Sequence, residues 1–328
     1  MKSNKTLFYP FDYHSYPLIH YLNKTRNDIV VAADAGSSLI NRDISYAINS
    51  TQFENLKVHD IKEVCMDEIG EVYLLNEKVS FQIPKNTFYL NRLSYKKDYE
   101  IDMPIVEIEK PIIMITGLFD TIFNSNLGVD LKYEFEKKNI KCGILSPDVL
   151  LSYINAGYLN LDNENYKSLS NLYYQVKKQI NCMLLSDIDV LIIQVQGGFM
   201  QLDDVVFNDF GIYYTILNEI ASPDYQILVI PESYSDDNTV CDIQQITYGR
   251  YRQYFDYLFS KNFYVEASTP HHKDLAFQSY VIKIEIMAYK LFFLLKIYEH
   301  VFPCKLIRLK LTQLHTYKTQ NLIFRHPF

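Results

Sequence analysis

The residues of this 328-residue chain best placed to do chemistry fall in a few short stretches. The first is Gly117-Leu-Phe-Asp-Thr-Ile-Phe-Asn-Ser-Asn126, between an apolar run and a helical pattern. At such a junction backbone amides and a helix N-terminus hold phosphate or carboxylate. Gly117, Asp120, Thr121, Asn124 and Ser125 are therefore candidate anion- or nucleotide-binding residues. The stretch has the location of a P-loop without its signature Gly-x4-Gly-Lys-Ser/Thr. Ile122 and Phe123 stand where the second glycine and the lysine would be, so a hydrolytic lysine is missing. Asn124 and Ser125 also suit plain helix capping.

The second stretch, Asp189-Val-Leu-Ile-Ile-Gln-Val-Gln-Gly-Gly-Phe199, resembles the strand whose carboxyl-terminal acid holds magnesium in nucleotide-binding folds. Here Gln194 and Gln196 occupy that region, and an amide is neither a base nor a strong Mg²⁺ ligand. Gln196, Gly197 and Gly198 remain binding candidates, because glycine lets a backbone approach a ligand closely. Asp12, at the end of the first strand-like run, and Ser15 are candidate rim residues. Asp203 and Asp204 are ordinary loop acids or metal holders in a nucleotide-dependent reading. The neighbours His271 and His272, near Asp274, diverge in a strand or a helix and chelate one ion poorly. No metal site is predicted and no complete catalytic set is present.

These residues need a scaffold, and the apolar runs supply one. Thr6–Phe11 and Asp28–Asp34 read as strands around a short helix, with Ala35-Gly36-Ser37-Ser38 as the following loop. Ile112–Thr116, Gly143–Leu145, Asp189–Val195 and Tyr225–Pro231 read as buried strands, alternating with helices at Leu127–Lys138 and Ile212–Ile220. Such alternation predicts an α/β protein with a doubly wound, mostly parallel sheet of P-loop-like type. A smaller Rossmann-like α/β domain is expected ahead of it. Glu71–Leu75 is a further strand, Ser94–Glu100 an exposed polar stretch, and Ile101–Lys110 an edge strand or crossing segment. The predicted divisions are 1–105, 106–282 and a basic segment, 283–328.

Composition narrows the classes. There are 32 Lys plus Arg against 39 Asp plus Glu, a net charge of −7 that disfavours nucleic-acid binding by the whole chain. The five cysteines lie far apart with no ligand spacing, a reduced, cytoplasmic pattern. No apolar run approaches the roughly 20 residues of a membrane span. The 28 tyrosines and 20 phenylalanines fit AT-rich codon usage and core packing better than an aromatic binding surface. Residues 283–328 carry eight basic residues against two acids. A basic helix for an acidic partner or lipid, a plain structural helix and a shifted reading frame each account for this.

Tyr9-Pro-Phe-Asp12 with Ser15 and Pro17, Ile113-Met-Ile-Thr-Gly117 with Asn124, Gln196-Gly-Gly198, Asn208-Asp-Phe-Gly211 and Ser222-Pro-Asp224 together form a pattern. Over about residues 5–35 and 110–280 the chain resembles the peptide maturation system proteins. This clostridial-type bacterial family is encoded beside ribosomally made, bacteriocin-like peptides and radical-enzyme partners. The chain departs from it in the helix-entry loop, where the family carries a lysine at the position of Phe123 or of Asn124. The resemblance implies an accessory protein in maturation or export of such a peptide, with the precursor peptide or its modifying enzyme as partner, and makes Asn208, Asp209 and Gly211, with the helix that follows, a ligand- or peptide-facing rim above the sheet. A nucleotide with Mg²⁺ is the one cofactor candidate. An NTP-dependent enzyme and an interaction protein with a relic nucleotide fold stay open as alternatives.

Overall fold

The structure is a computed structural model that describes residues 5–48, 54–75, 87–89, 110–119, 123–159, 161, 168–199, 211–231 and 234–261. Two parallel sheets organise them. The first is built from β1 (Lys5–Tyr9), β2 (Ile29–Ala33), β3 (Val58–Asp60), β4 (Ile69–Leu74) and β5 (Thr87–Tyr89), in the order β3-β2-β1-β4-β5. Helix α1 (Tyr16–Thr25) links β1 to β2. Its start is set locally. Asp12 accepts from the Ser15 backbone N–H at 3.0 Å, and Pro17 stands at the first turn, where no N–H is needed.

The second sheet contains β6 (Ile112–Gly117), β7 (Cys142–Ser146), β8 (Gly157–Tyr158), β9 (Val190–Gly198), β10 (Tyr225–Pro231) and β11 (Tyr257–Lys261), in the order β11-β10-β6-β9-β7-β8. Every pairing between these strands is parallel. Four helices connect them: α2 (Phe123–Lys137), α3 (Leu169–Leu185), α4 (Ile212–Ala221) and α5 (Asp237–Tyr251). Ser168 and Asp236 cap α3 and α5 through the backbone N–H groups of Asn171 and of Asn238 and Thr239. Strands buried on both faces explain the near-continuous apolar runs. The predicted doubly wound parallel α/β class is the class observed. The edge segment expected at 101–110 and the whole basic segment 283–328 lie outside the described residues, Lys110 excepted.

One boundary differs from expectation. Helix α2 begins at Phe123, so residues 123–126, expected in the loop, form its first turn. The first turn has no internal N–H bonds to lose, so Asn and Ser serve inside it as readily as ahead of it.

Alternating side chains sort the core into layers. Ile112, Met114, Ile193 and Leu228 pack with Leu172, Val176, Leu217 and Ile243 on one face of the second sheet. Ile113, Ile115, Ile192 and Val229 pack on the other with Leu127 and Phe135 of α2. That same cluster contains Phe8, Leu18, Ile19 and Val31 of the first unit, so α1 and α2 form a helical layer shared by both sheets. Leu7, Tyr9, Val72 and Leu74 make a smaller cluster on the first sheet's other face.

Helix α2 is nearly all buried, and its seat on the second sheet depends on Gly128. A Cβ there would stand 1.8 Å from Nε2 of Gln194. Gln194 is itself buried, so it has little room to yield. Gly128→Ala is expected to destabilise the fold by roughly 1–3 kcal/mol through overpacking. Urea denaturation of Gly128→Ala, Gln194→Ala and the double variant checks this, the double variant recovering part of the loss.

Candidate functional site

Ligands of doubly wound sheets sit outside the strands' carboxyl ends, where the direction of winding reverses. In the second sheet the chain leaves β6 for β7 two places away, returns to β9 between them, then crosses to β10 on the other side. The reversal therefore lies at the carboxyl end of β6, next to β9, and Gly117 and Gly198 pair there across a register shift.

The local backbone is tightly engaged. The Gly117 carbonyl accepts from the Phe199 N–H at 2.9 Å, and the Leu118 N–H donates to the Val229 carbonyl at 2.7 Å. Leu118 and Phe119 are buried in the core, so the stretch first continues β6 before it turns toward α2. The Phe199 carbonyl lies 2.6 Å from where a Cβ on Gly211 would stand, and Gly211 holds φ +70° at the N-cap of α4. Gly197 is also left-handed, at φ +73°. The structure thus brings Gly117, Gly197, Gly198 and Gly211 together around the backbone of Phe199. Two polar side chains flank the turn without hydrogen-bond partners: Thr116 at the end of β6, and Asn126 in the first turn of α2, only 1% and 2% exposed.

The other predicted residues divide as follows. Gln196 uses Oε1 to accept from the Leu161 N–H at 3.2 Å, tying down the segment beyond β8. Asn124 and Ser125 fall in the first turn of α2. Asp12 and Ser15 form a reciprocal capping box, Ser15 fully buried and Asp12 exposed, at the carboxyl end of the first sheet. Asp120, Thr121, Asn208 and Asp209 lie outside the described residues, as do Asp203, Asp204, His271, His272 and Asp274. Among the described residues no group of three or more His, Cys, Asp or Glu is placed to hold a metal ion, and no helix is long and apolar enough to cross a membrane.

Sequence reasoning missed the densest set of ionisable groups, in the layer between the sheets. His20 on α1 lies 2.8 Å from Glu54 through Nδ1 and 2.7 Å from Asp130 of α2 through Nε2. Tyr16 donates to the same Glu54 oxygen at 2.8 Å, and Lys24 pairs with Asp130. Burial lowers the proton affinity of His20, but the two carboxylates outweigh it and raise its pKa above 6.5. Burial raises the pKa of Asp130, and His20 and Lys24 more than reverse that, holding it below the carboxylate range. Burial and Glu54 push the Tyr16 hydroxyl well above its ordinary value. The available signal was Asp130 itself, a charge set between Val129 and Leu131 in an otherwise apolar half-turn. A second missed group is Asp148, after β7, where burial pushes the carboxyl up to about 6.

The chain matches no known family, and no curated protein resembles it in sequence. Among solved structures it is similar to a DUF1611 family protein from Anabaena variabilis, with a TM-score of 0.48 and 8% identity over 78% of this chain and 87% of the other. It is also similar to the signal recognition particle receptor FtsY from Elizabethkingia anophelis in complex with GDP, with a TM-score of 0.29 and 15% identity over 47% of this chain and 50% of that one. For the signal recognition particle 54 kDa protein from Aeropyrum pernix in complex with GDP, the TM-score is 0.34 and identity 11% over 54% and 40%. At these scores the fold rests on strand order and register.

Removing Asp130 would leave the buried His20 with one carboxylate for its two ring nitrogens and take from Lys24 its ion-pair partner. Asp130→Ala is expected to cost about 3–5 kcal/mol. The folded-state pKa of Asp130 lies below its unfolded value near 3.8, so its contribution is present at neutral pH and is lost only as pH falls below about 4. Denaturation of wild type and variant at pH 7 and at pH 3 checks both statements, the difference between them shrinking in acid.

Proposed function

We propose that this chain is an accessory protein in the maturation of a ribosomally synthesised, post-translationally modified peptide. In this reading the carboxyl end of its second sheet binds a peptide, a partner enzyme or a nucleotide-like anion without hydrolysing it. The observation that carries the non-hydrolytic part is the identity and setting of two amides. Gln194 and Gln196 stand where a magnesium-holding acid belongs, Gln194 beneath Gly128 and Gln196 bonded to Leu161. Phe123 stands where a phosphate-binding lysine belongs. The peptide-maturation part is supported by the resemblance carried by Tyr9–Asp12, Ile113–Gly117, Gln196–Gly198 and Gly211.

A ligand that binds the folded state raises its apparent stability. Thermal shifts with ATP, GTP and inorganic phosphate, each with and without Mg²⁺, are therefore expected to be independent of the metal, with no phosphate released. The precursor peptide encoded nearby is expected to be retained on the immobilised protein at tens of micromolar. Magnesium-dependent turnover that disappears in Ser125→Ala would replace this reading with an NTP-dependent enzyme. Neither a shift nor peptide retention would leave an interaction protein with a relic fold.

A further inference from the structure

The His20 cluster joins parts of the chain far apart in sequence: His20, Tyr16 and Lys24 from α1, Glu54 from the segment ahead of β3, and Asp130 from α2. The side chains of His20, Glu54 and Asp130 are 6%, 9% and 1% exposed, so water cannot stand in for a lost partner. A neutral imidazole has one N–H and one lone pair. His20 faces a carboxylate oxygen at hydrogen-bond distance from each nitrogen, so both contacts are attractive only when both nitrogens carry protons. The surroundings balance that charge. Two cations, His20 and Lys24, meet two anions, Glu54 and Asp130. The nearby Asp43 carboxylate is occupied by the backbone N–H groups of Ser45, Glu54 and Leu56, and Tyr133 lies against Lys24.

We propose that His20 is a proton-operated latch between the two sheet units, holding Glu54 of its own unit and Asp130 of the other while both ring nitrogens are protonated. Loss of one proton goes to solvent, leaves one N–H for two acceptors, and turns the other contact into a lone pair facing a buried carboxylate. Asp130 keeps Lys24, whereas Glu54 keeps only the neutral Tyr16 hydroxyl and has no cation but His20 in the cluster. The single N–H therefore stays with Glu54, and the contact that opens is the one from His20 to Asp130, while Lys24–Asp130 and Tyr21–Glu136 still join α1 to α2. The latch is independent of which ligand the second sheet binds.

The direction follows from linkage. His20 holds its proton more tightly folded than unfolded, so its contribution is complete below about 6.5 and is lost as pH rises through the higher folded-state value. Over that interval the folding equilibrium is expected to fall by up to about tenfold per pH unit from this one group. The full chain, labelled with ¹⁵N-histidine, gives the direct readout. One imidazole with both nitrogens protonated at pH 7, titrating above 6.5, is expected. Amide exchange in α1 and α2, corrected for intrinsic rates, is expected to accelerate between pH 6 and pH 9 more than in β9 or β10. His20→Gln is expected to flatten that difference and the stability slope. A spectrum in which every ring is neutral at pH 7, or a slope unchanged in His20→Gln, would overturn the latch. Should His20→Gln fail to fold, the wild-type titration decides alone.

Discussion

Two parallel sheets share one helical layer, and whatever that layer buries must be neutral there. Helices on the outside of a doubly wound sheet can turn charged residues to water. Helices α1 and α2 are packed from both sides and reach water only near their ends, as at Lys24 and Lys137, so the buried ionisable groups on them are matched to one another. His20 and Lys24 answer Glu54 and Asp130, and Lys132 answers the Cys142 carbonyl and Glu136. Tyr21 donates to Glu136 across the same interface, and the apolar side chains around these contacts fix the spacing of the layers. Positioning of the second sheet's carboxyl end follows from this, since α2 both begins at that end and carries Asp130 two turns further on.

The same closeness governs the sheet's carboxyl end. Gly128 brings α2 down onto Gln194, and Gly211 brings α4 against the carbonyl of Phe199. A larger residue at either place would press its helix away from β9 or from the residue that follows it. Glycine is scarce in this chain, and these two are held by approach and, for Gly211, by a left-handed backbone as well.

Much of the scaffold was legible in the sequence because each strand is announced by a run of apolar, often β-branched residues such as Ile112–Ile115 and Leu191–Ile193. The site was legible in part. Position relative to strand ends singled out Gly117 and Gly198, the family resemblance added Gly211, and the structure gathers them around one residue. It could not show that Leu118 and Phe119 would dive into the core, because an apolar residue after a strand reads equally as loop or as strand. Nor could it show the His20 cluster. Its members are separated by 34 and 110 positions, and nothing local in a helix marks which histidine will meet an acid from another element. Gln196 was legible as an amide at a strand end, but its hold on Leu161 depends on where a distant segment returns.

The core that runs from Phe8 and Ile19 through Leu127 to Ile192 has a consequence for the chain as a piece of covalent polymer. Neither sheet owns both faces of its hydrophobic surface. Severed between the two sheets, each fragment would carry an uncovered apolar face together with half of a charge-matched set, and would stay in solution only by finding the other half. The two units are thus a single inheritable block: recombination that exchanged one of them alone would have to import a partner surface with the same shape and the same opposed charges.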